Sequence, residues 1–488
     1  MRQRFFVFAV LLTVRSLAAG EANLADLAEQ QSPTVESALL QSDVNAKQPD
    51  GMTALHWAVF HDNAALVEKL IDAKADVKAK NHYGVTPLSL ACTNGNTAIV
   101  ERLLASGADP NTVLEGGESV LMTAARTGKV GPVKALVKAG ADVNDRERKK
   151  QTALMWAAAE GHAGVVNVLI DAGADPDATL SSGYSPLFFA VREGKRHAVK
   201  ALLRSADDVN RIMKPKNSRG RSVKSGTSPL ILAIENGHFE LAVDLLLAGA
   251  DPNDQQSGFS PLHTMTWVRK PNRGDGVDGV PSPIGSGNLN SLQFIEKLVE
   301  HGAKVDAPLK KDQRGGAQLF QKGATPFLLA CETADVPMMK LLLKLGCDPH
   351  RTTNNKTTGL LAAAGLETNA PGEEAGTEPE ALEALKLLLE LGQDINAVND
   401  RGETAMHAAA YKNFPKVMRF LADNGAKVDV WYTKNKRGLT PVLIAEGHRP
   451  GNFRPLAGIL HMLHSLLKEN GIEPPAPTPR KKKKGYGV

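Results

Sequence analysis

The chain has 488 residues, a formal net charge of +5, 42% hydrophobic but only 5% aromatic side chains, and three cysteines. So few cysteines over such a length exclude a disulfide-framed scaffold. Eight cations, Arg2, Arg4 and Arg15 near the start and Arg480 to Lys484 near the end, lie outside the regular part of the chain, and without them the remainder carries −3; a dedicated nucleic-acid binder would keep a basic excess over its folded part.

Residues 1–20 read as a secretory signal peptide. Arg2 and Arg4 precede the apolar run Phe5 to Val14, and Ser16-Leu17-Ala18-Ala19-Gly20 supplies small residues for cleavage. The run is too short for a comfortable membrane span, so the reading is an exported, bacterial-type protein, periplasmic or secreted, with no transmembrane span after cleavage. A retained N-terminal anchor is the alternative. Residues 21–43 hold two short helical patterns, Leu24 to Ala28 and Val35 to Leu40, expected to cap the N-terminal end of a repeat stack.

From 44 to 471 one pattern recurs. Its opening Thr or Ser falls at Thr53, Thr86, Ser119, Thr152 and Ser185, a spacing of 33 four times running, then at Ser228, Ser260, Thr325, Thr358, Thr404 and Thr440. Thr and Ser are good N-caps, and the Pro that often comes next suits the first helical position. Ala58, Ala91, Ala124, Ala157, Ala190, Ala233 and Ala330 recur five places later and let helices approach closely. A second helix with an aliphatic stripe, such as Val165-Val166-Val168-Leu169-Ile170, exits on glycine at Gly107, Gly140, Gly173, Gly249, Gly302, Gly346, Gly392 and Gly425. Glycine adopts the left-handed C-cap without steric cost, so Lys74 and Ala206, which replace it, predict strained exits. Asp142-Val143-Asn144 and Asp251-Pro252-Asn253 have the composition of turns leading into hairpin-like fingers.

Thr86-Pro87-Leu88, Ser260-Pro261-Leu262-His263 and Thr404-Ala405-Met406-His407-Ala408-Ala409 carry the family signal. In these residues the chain resembles the ankyrin-repeat family. The resemblance implies an all-α solenoid of about eleven helix-turn-helix units, hydrogen bonds between units from His56, His263 and His407, and protein partners held on a concave face of fingers and first helices. Insertions near 207–227, 269–290, 310–323 and 366–377 interrupt the period and are read as places where specificity lies. The first is basic, with Arg211, Lys214, Lys216, Arg219, Arg221 and Lys224. Residues 472–488, rich in Pro and then Lys, read as a disordered tail.

No constellation for chemistry stands out, so no catalytic residue, metal or cofactor is assigned and the chain reads as non-enzymatic. His461 and His464 lack a third ligand beside them. Asn272 to Gly279 misses the alternate carboxylates and closing Glu of a calcium loop. Cys92, Cys331 and Cys347 sit where small apolar residues belong and read as buried thiols. What remains is a surface. Positions seven and eight after the opening Thr/Ser give Phe60, His61, Arg126, Glu160, Arg192, Glu193, Glu235, Asn236, Tyr411 and Lys412, and finger tips add Tyr83, Tyr184, Phe259, Trp431 and Tyr432. Aromatic and arginine side chains dominate interface energetics. Trp57, Trp156 and Phe189 read as inter-repeat core. The expected partner is a protein met by a monomer, with no specific nucleic acid. Two alternatives stand beside this: charge-driven attachment of basic fingers and tail to an anionic polymer or surface, and inhibition or chaperoning of one exported enzyme.

Overall fold

The structure is a computed structural model that describes residues 23–204, 208–216, 225–270, 282–310, 322–366, 368, 375–449 and 454–479. The signal-peptide reading, Ala206, the basic residues Arg219, Arg221 and Lys224, the Asn272 to Gly279 loop and the Arg480 to Lys484 tail lie outside the described residues. Among the described residues the chain is helical, with no strand and two isolated β-bridges, Lys47 with Thr53 and Val113 with Ser119. The contacts resolve into two compact units where the sequence reads as one array. The first takes the described residues up to Ala157 together with Gly164–Asp175, and the second takes Ala158–Ala163 and everything from Pro176.

In the first unit Leu24–Glu29 packs on Ala54–Phe60, the first member of a helix pair completed by Ala64–Asp72. Pro87–Asn94 with Thr97–Ala105 and Val120–Thr127 with Val130–Lys138 repeat the arrangement. The pair Ala153–Glu160 and Ala163–Asp171 contains the division between units. In the second unit the pairs are Pro186–Arg192 with Arg196–Leu203, Pro229–Glu235 with Phe239–Leu247, and Pro261–Arg269 with Ser291–Glu300. Next come Pro326–Glu332 with Val336–Lys344, Gly359–Ala363 with Glu378–Glu390, Ala405–Lys412 with Pro415–Asp423, and Pro441–Ala445 with Ala457–Glu469.

The local causes are those the sequence displays. Thr53, Thr86, Ser119, Thr152, Ser228, Ser260, Thr325, Thr358 and Thr440 each accept a hydrogen bond from the backbone N–H three residues on, a cap whose removal typically costs about 1 kcal/mol. Two openers differ: Ser185 Oγ is buried and meets no partner among the described residues, and the Thr404 hydroxyl meets His407 Nδ1 instead. The seven recurring alanines are at most 1% exposed, and all three cysteines are buried and unbridged. Burial pushes the Cys92 and Cys347 thiols up to about 12 and Cys331 well above its ordinary value, so none offers a thiolate at neutral pH.

The recurring Asn has a specific task. Asn111 donates to Gly140 O (3.2 Å) and accepts from Asp142 N (2.8 Å), so one side chain satisfies both backbone groups at the next helix exit. Asn144 does the same for Gly173 and Asp175. In the second unit Asn210, Asn253 and Asn396 repeat it on Gly249 and Asp251, Gly302 and Lys304, and Gly425 and Lys427.

Lys74 holds φ +71° at the exit where eight other pairs have glycine at φ +79° to +96°. A Cβ in that region costs about 1–2 kcal/mol, and glycine returns part of that as unfolded-chain entropy. Lys74→Gly is therefore expected to stabilise by about 1 kcal/mol, read as a higher urea midpoint with an unchanged slope; a lower midpoint would show that the exit is not strained.

One edge of the second unit, where first helices turn into second helices, is bound together by charged side chains. Arg269 makes a bidentate pair with Asp335 (Nε–Oδ2 2.7 Å, Nη2–Oδ1 2.9 Å) and also donates to Ser291 Oγ. Asp335 itself caps Val336–Lys344 by accepting from Met338 N. Lys270 reaches Glu380 (2.5 Å), whose carboxyl burial would raise but which Lys270 holds below its ordinary value. The described arm of the 269–290 insertion turns inward: Ser286 N donates to His238 Nδ1 (3.0 Å) and Asn288 N to Glu240 Oε1 (2.8 Å). In these contacts the insertion braces its own unit.

Candidate partner-binding surface

In the first unit the exposed side of Ala54–Phe60 carries an organised aromatic group. Trp57 lies edge-on to Phe60 (centroids 5.5 Å) and stacks with His61 (5.9 Å). Its Nε1 donates to Gln48 Oε1 (2.7 Å), and Gln48 in turn donates to Asp26 and Glu29. His61 Nε2 donates to Glu29 O (3.0 Å) while Nδ1 accepts from Gln31 (2.9 Å), which fixes the ring and its tautomer. Phe60 remains 49% exposed and Tyr83, at a finger tip, 61%. Rings held this way lose little rotamer freedom when a partner covers them. Further along the unit the Arg126 guanidinium lies 5.9 Å from the Trp156 ring and 3.4 Å from Glu118.

The second unit offers a comparable group. The Arg192 guanidinium sits 5.2 Å from the ring centroids of both Tyr184 and Phe189, and its Nη2 is 2.8 Å from Glu193 Oε1. Burial raises the Tyr184 hydroxyl above its ordinary range, with Arg192 opposing. Glu160 and Glu193 are exposed, Tyr184, Arg192, Glu235 and Asn236 half-exposed. Cation–π contacts contribute about 0.5–1 kcal/mol at such exposed sites and reach about 2 kcal/mol when a partner desolvates them.

Below these surfaces, His56 Nδ1 accepts from the Thr53 hydroxyl (2.8 Å) and Nε2 donates to Val85 O (3.1 Å) of the following finger. His263 repeats this with Ser260 and Ala324, and His407 with Thr404 and Thr433. The cap, the small residue, the bridging histidine and the exit glycine thus recur together, and family models of ankyrin repeats match 24–114, 106–180, 187–267, 322–351 and 378–422. This is an ankyrin-repeat chain.

Curated ankyrin-repeat relatives share parts of it. Ankyrin repeat and SOCS box protein 6 of Homo sapiens is 26% identical over 147 residues, 28% of this chain and 32% of that protein. DNA-binding protein RFXANK of Homo sapiens is 33% identical over 118 residues, 24% of this chain and 42% of that protein. Transient receptor potential cation channel subfamily A member 1 of Homo sapiens is 24% identical over 213 residues, 42% of this chain and 15% of that protein. The chain spans less than half the length of each of these three. Ankyrin repeats are characteristically interaction modules for proteins and not enzymes, and the same scaffold takes unrelated partners.

Within the ankyrin array four of the residues read as surface are buried. Phe259 is 0% exposed: it stands directly before the Ser260 cap, as Tyr184 does before Ser185, and Trp267 lies edge-on across its ring (4.8 Å). Tyr411 is covered because its hydroxyl donates to the buried Glu403 and accepts from Asn435, while Arg449 binds its carbonyl. Lys412 Nζ donates to Ala375 O (2.6 Å), beneath the 366–377 insertion. Trp431 ends a one-turn helix, Val428–Trp431, that takes the place of an open finger tip; Tyr432 beside it is half-buried. Conversely Trp57 and Trp156, read as core, are half-buried rims of the surface, whereas Phe189 is core as expected.

Sequence reasoning missed Gln48 and Gln31, which orient the aromatic group, and the Arg269–Asp335 pair. An aspartate at the entrance to Val336–Lys344 is a cap signal; its arginine, 66 positions earlier, leaves none. Among the described residues no three His, Cys, Asp or Glu side chains gather as metal ligands, and no helix is long and apolar enough to cross a membrane.

Proposed function

We propose that the chain is a non-enzymatic, monomeric protein-interaction scaffold acting outside the cytoplasm, in the periplasm or as a secreted protein. The observation that carries the interaction reading is the Trp57–Phe60–His61 group, in which the exposed Phe60 packs against half-buried Trp57 and His61 rings that hydrogen bonds hold in place. The partner lies against the first helices and finger tips, with Tyr83 and Arg126 in the first unit and Tyr184, Arg192 and Glu193 in the second contributing to separate contact areas. Export rests on the composition of residues 1–20.

The test begins by identifying the protein retained from a cell-envelope extract in high salt and then measuring its Kd. Phe60→Ala with Tyr83→Ala is expected to weaken that Kd by at least tenfold, as truncating two interface aromatics does. An unchanged Kd would remove the first-unit surface from the reading. N-terminal sequencing of the protein recovered from the envelope or medium tests export; a start at Met1 on cytoplasmic material would exclude it.

A further inference from the structure

The finger tips of the second unit form a charged edge that the inner-helix surface does not use. Lys322, Lys356, Arg401, Lys434, Lys436 and Arg437 stand on four successive tips, all exposed except the half-buried Arg401. Against them stand Asp400, 3.2 Å from Lys356, and Glu403, which is fully buried and engaged with Tyr411, Asn399 and Asn435. The tips of the first unit carry a smaller excess, with Lys47, Lys80, Arg146, Arg148, Lys149 and Lys150 set among Asp50, Glu115, Glu118 and Glu147. The basic excess is therefore larger on this edge than on the tips of the first unit.

The edge is also regular. Asn354 N donates to Lys322 O (2.9 Å), Asp400 N to Asn355 O (2.9 Å) and Lys436 N to Arg401 O (2.8 Å), so each tip is tied to the next by a backbone hydrogen bond. Such tips succeed one another at the spacing of packed helices, about 8–10 Å. An extended polypeptide rises about 3.3 Å per residue, so every third side chain of such a strand meets a fresh tip. A nucleic-acid duplex, with one charge per roughly 1.7 Å, would leave most phosphates unmatched. Single strands bind through rows of aromatic platforms; the tip segments 322–324, 353–357, 399–403 and 433–439 contain no ring, and beside the last of them only the half-buried Tyr432 offers one, Trp431 being buried.

We propose that the tips from Lys322 to Arg437 are a docking edge for an extended, acidic polypeptide segment carrying a carboxylate at about every third residue. This rests on the reading of the chain as a protein-binding array and adds a second site with its own partner chemistry.

The test uses the full chain and fluorescence anisotropy. The probe is a labelled 15-residue peptide with Glu at every third position among Ser and Thr, compared with its Gln counterpart and with a 20-nucleotide oligothymidylate. Each exposed ion pair contributes about two- to fivefold, so Lys356→Glu, Lys434→Glu and Lys436→Glu together are expected to weaken the Glu peptide at least tenfold. Lys78→Glu, Lys80→Glu and Lys149→Glu, the same charge change on the first unit, are expected to alter it less than twofold. Equal losses in both triple variants, tighter binding of the oligonucleotide, or a Gln peptide bound as well as the Glu peptide would each overturn the proposal. The Phe60→Ala, Tyr83→Ala variant is expected to hold the Glu peptide normally. Loss of the peptide in that variant, with the tip variants normal, would place the acidic site on the inner helices and overturn the tip assignment alone.

Discussion

Replacing Asp335 by alanine is expected to destabilise the second unit by about 3–5 kcal/mol, the cost of leaving a buried charge without its partner. Asp335 is 2% exposed, receives both arms of the Arg269 guanidinium and caps Val336–Lys344. Its removal strands a guanidinium that is itself largely buried and frees a helix N-terminus at once. The measurement is hydrogen exchange at the amides of Val336–Lys344, with urea unfolding alongside. Apolar replacement of both partners, Arg269→Met with Asp335→Leu, should recover much of the loss, since a buried ion pair contributes little over a packed apolar one. A single-variant loss below about 1 kcal/mol would mean that water already reaches the pair and that the brace is ornamental.

Acid is expected to loosen the array before its carboxylates titrate. Burial, opposed by bonds to backbone carbonyls, holds His263 and His407 down to about 4, and His56 is lowered for the same reason. Each Nε2 donates to a carbonyl and each Nδ1 faces the backbone N–H of the cap residue, so the folded state has no place for a second ring proton. The unfolded chain takes that proton near pH 6.5. Stability contributed by the neutral rings is thus complete above about pH 6.5, falls as pH drops toward 4, and levels off below. The size is on the order of 3 kcal/mol per histidine in the second unit. Glu469 is held down to about 2, chiefly by its hydrogen bond from Arg419, so its contribution is lost below about pH 4.5, beyond most of the histidine window. Urea midpoints at pH 7.5, 6, 5 and 4 check it. A series for His263→Gln with His407→Gln that is as steep as the parent would refute it.

The repeat, its caps and its exits were legible because each is a local decision: a hydroxyl three residues from an N–H, a glycine where φ turns positive. The bridging role of His56, His263 and His407 came through the family resemblance for the same reason, since it is set by position within one unit. The surface was legible only in part. Phe60, Tyr83 and Glu193 are exposed as their positions predict, but the fate of Tyr411 and Lys412 depends on Glu403, Asn435, Arg449 and Ala375, which arrive from a neighbouring finger, the last turn and an insertion. Position within a period says which way a side chain points; it does not say what an irregular segment lays over it. Phe259 shows the finer version, where Trp267 lies across a ring that stands directly before its cap.

The asparagine contacts give the array a direction. Asn111 is satisfied by Gly140 and Asp142, and Asn144 by Gly173 and Asp175, always the repeat that comes next in the chain. Each such repeat is finished only by its successor, so a chain cut after either one would leave the amide of its last finger without these partners.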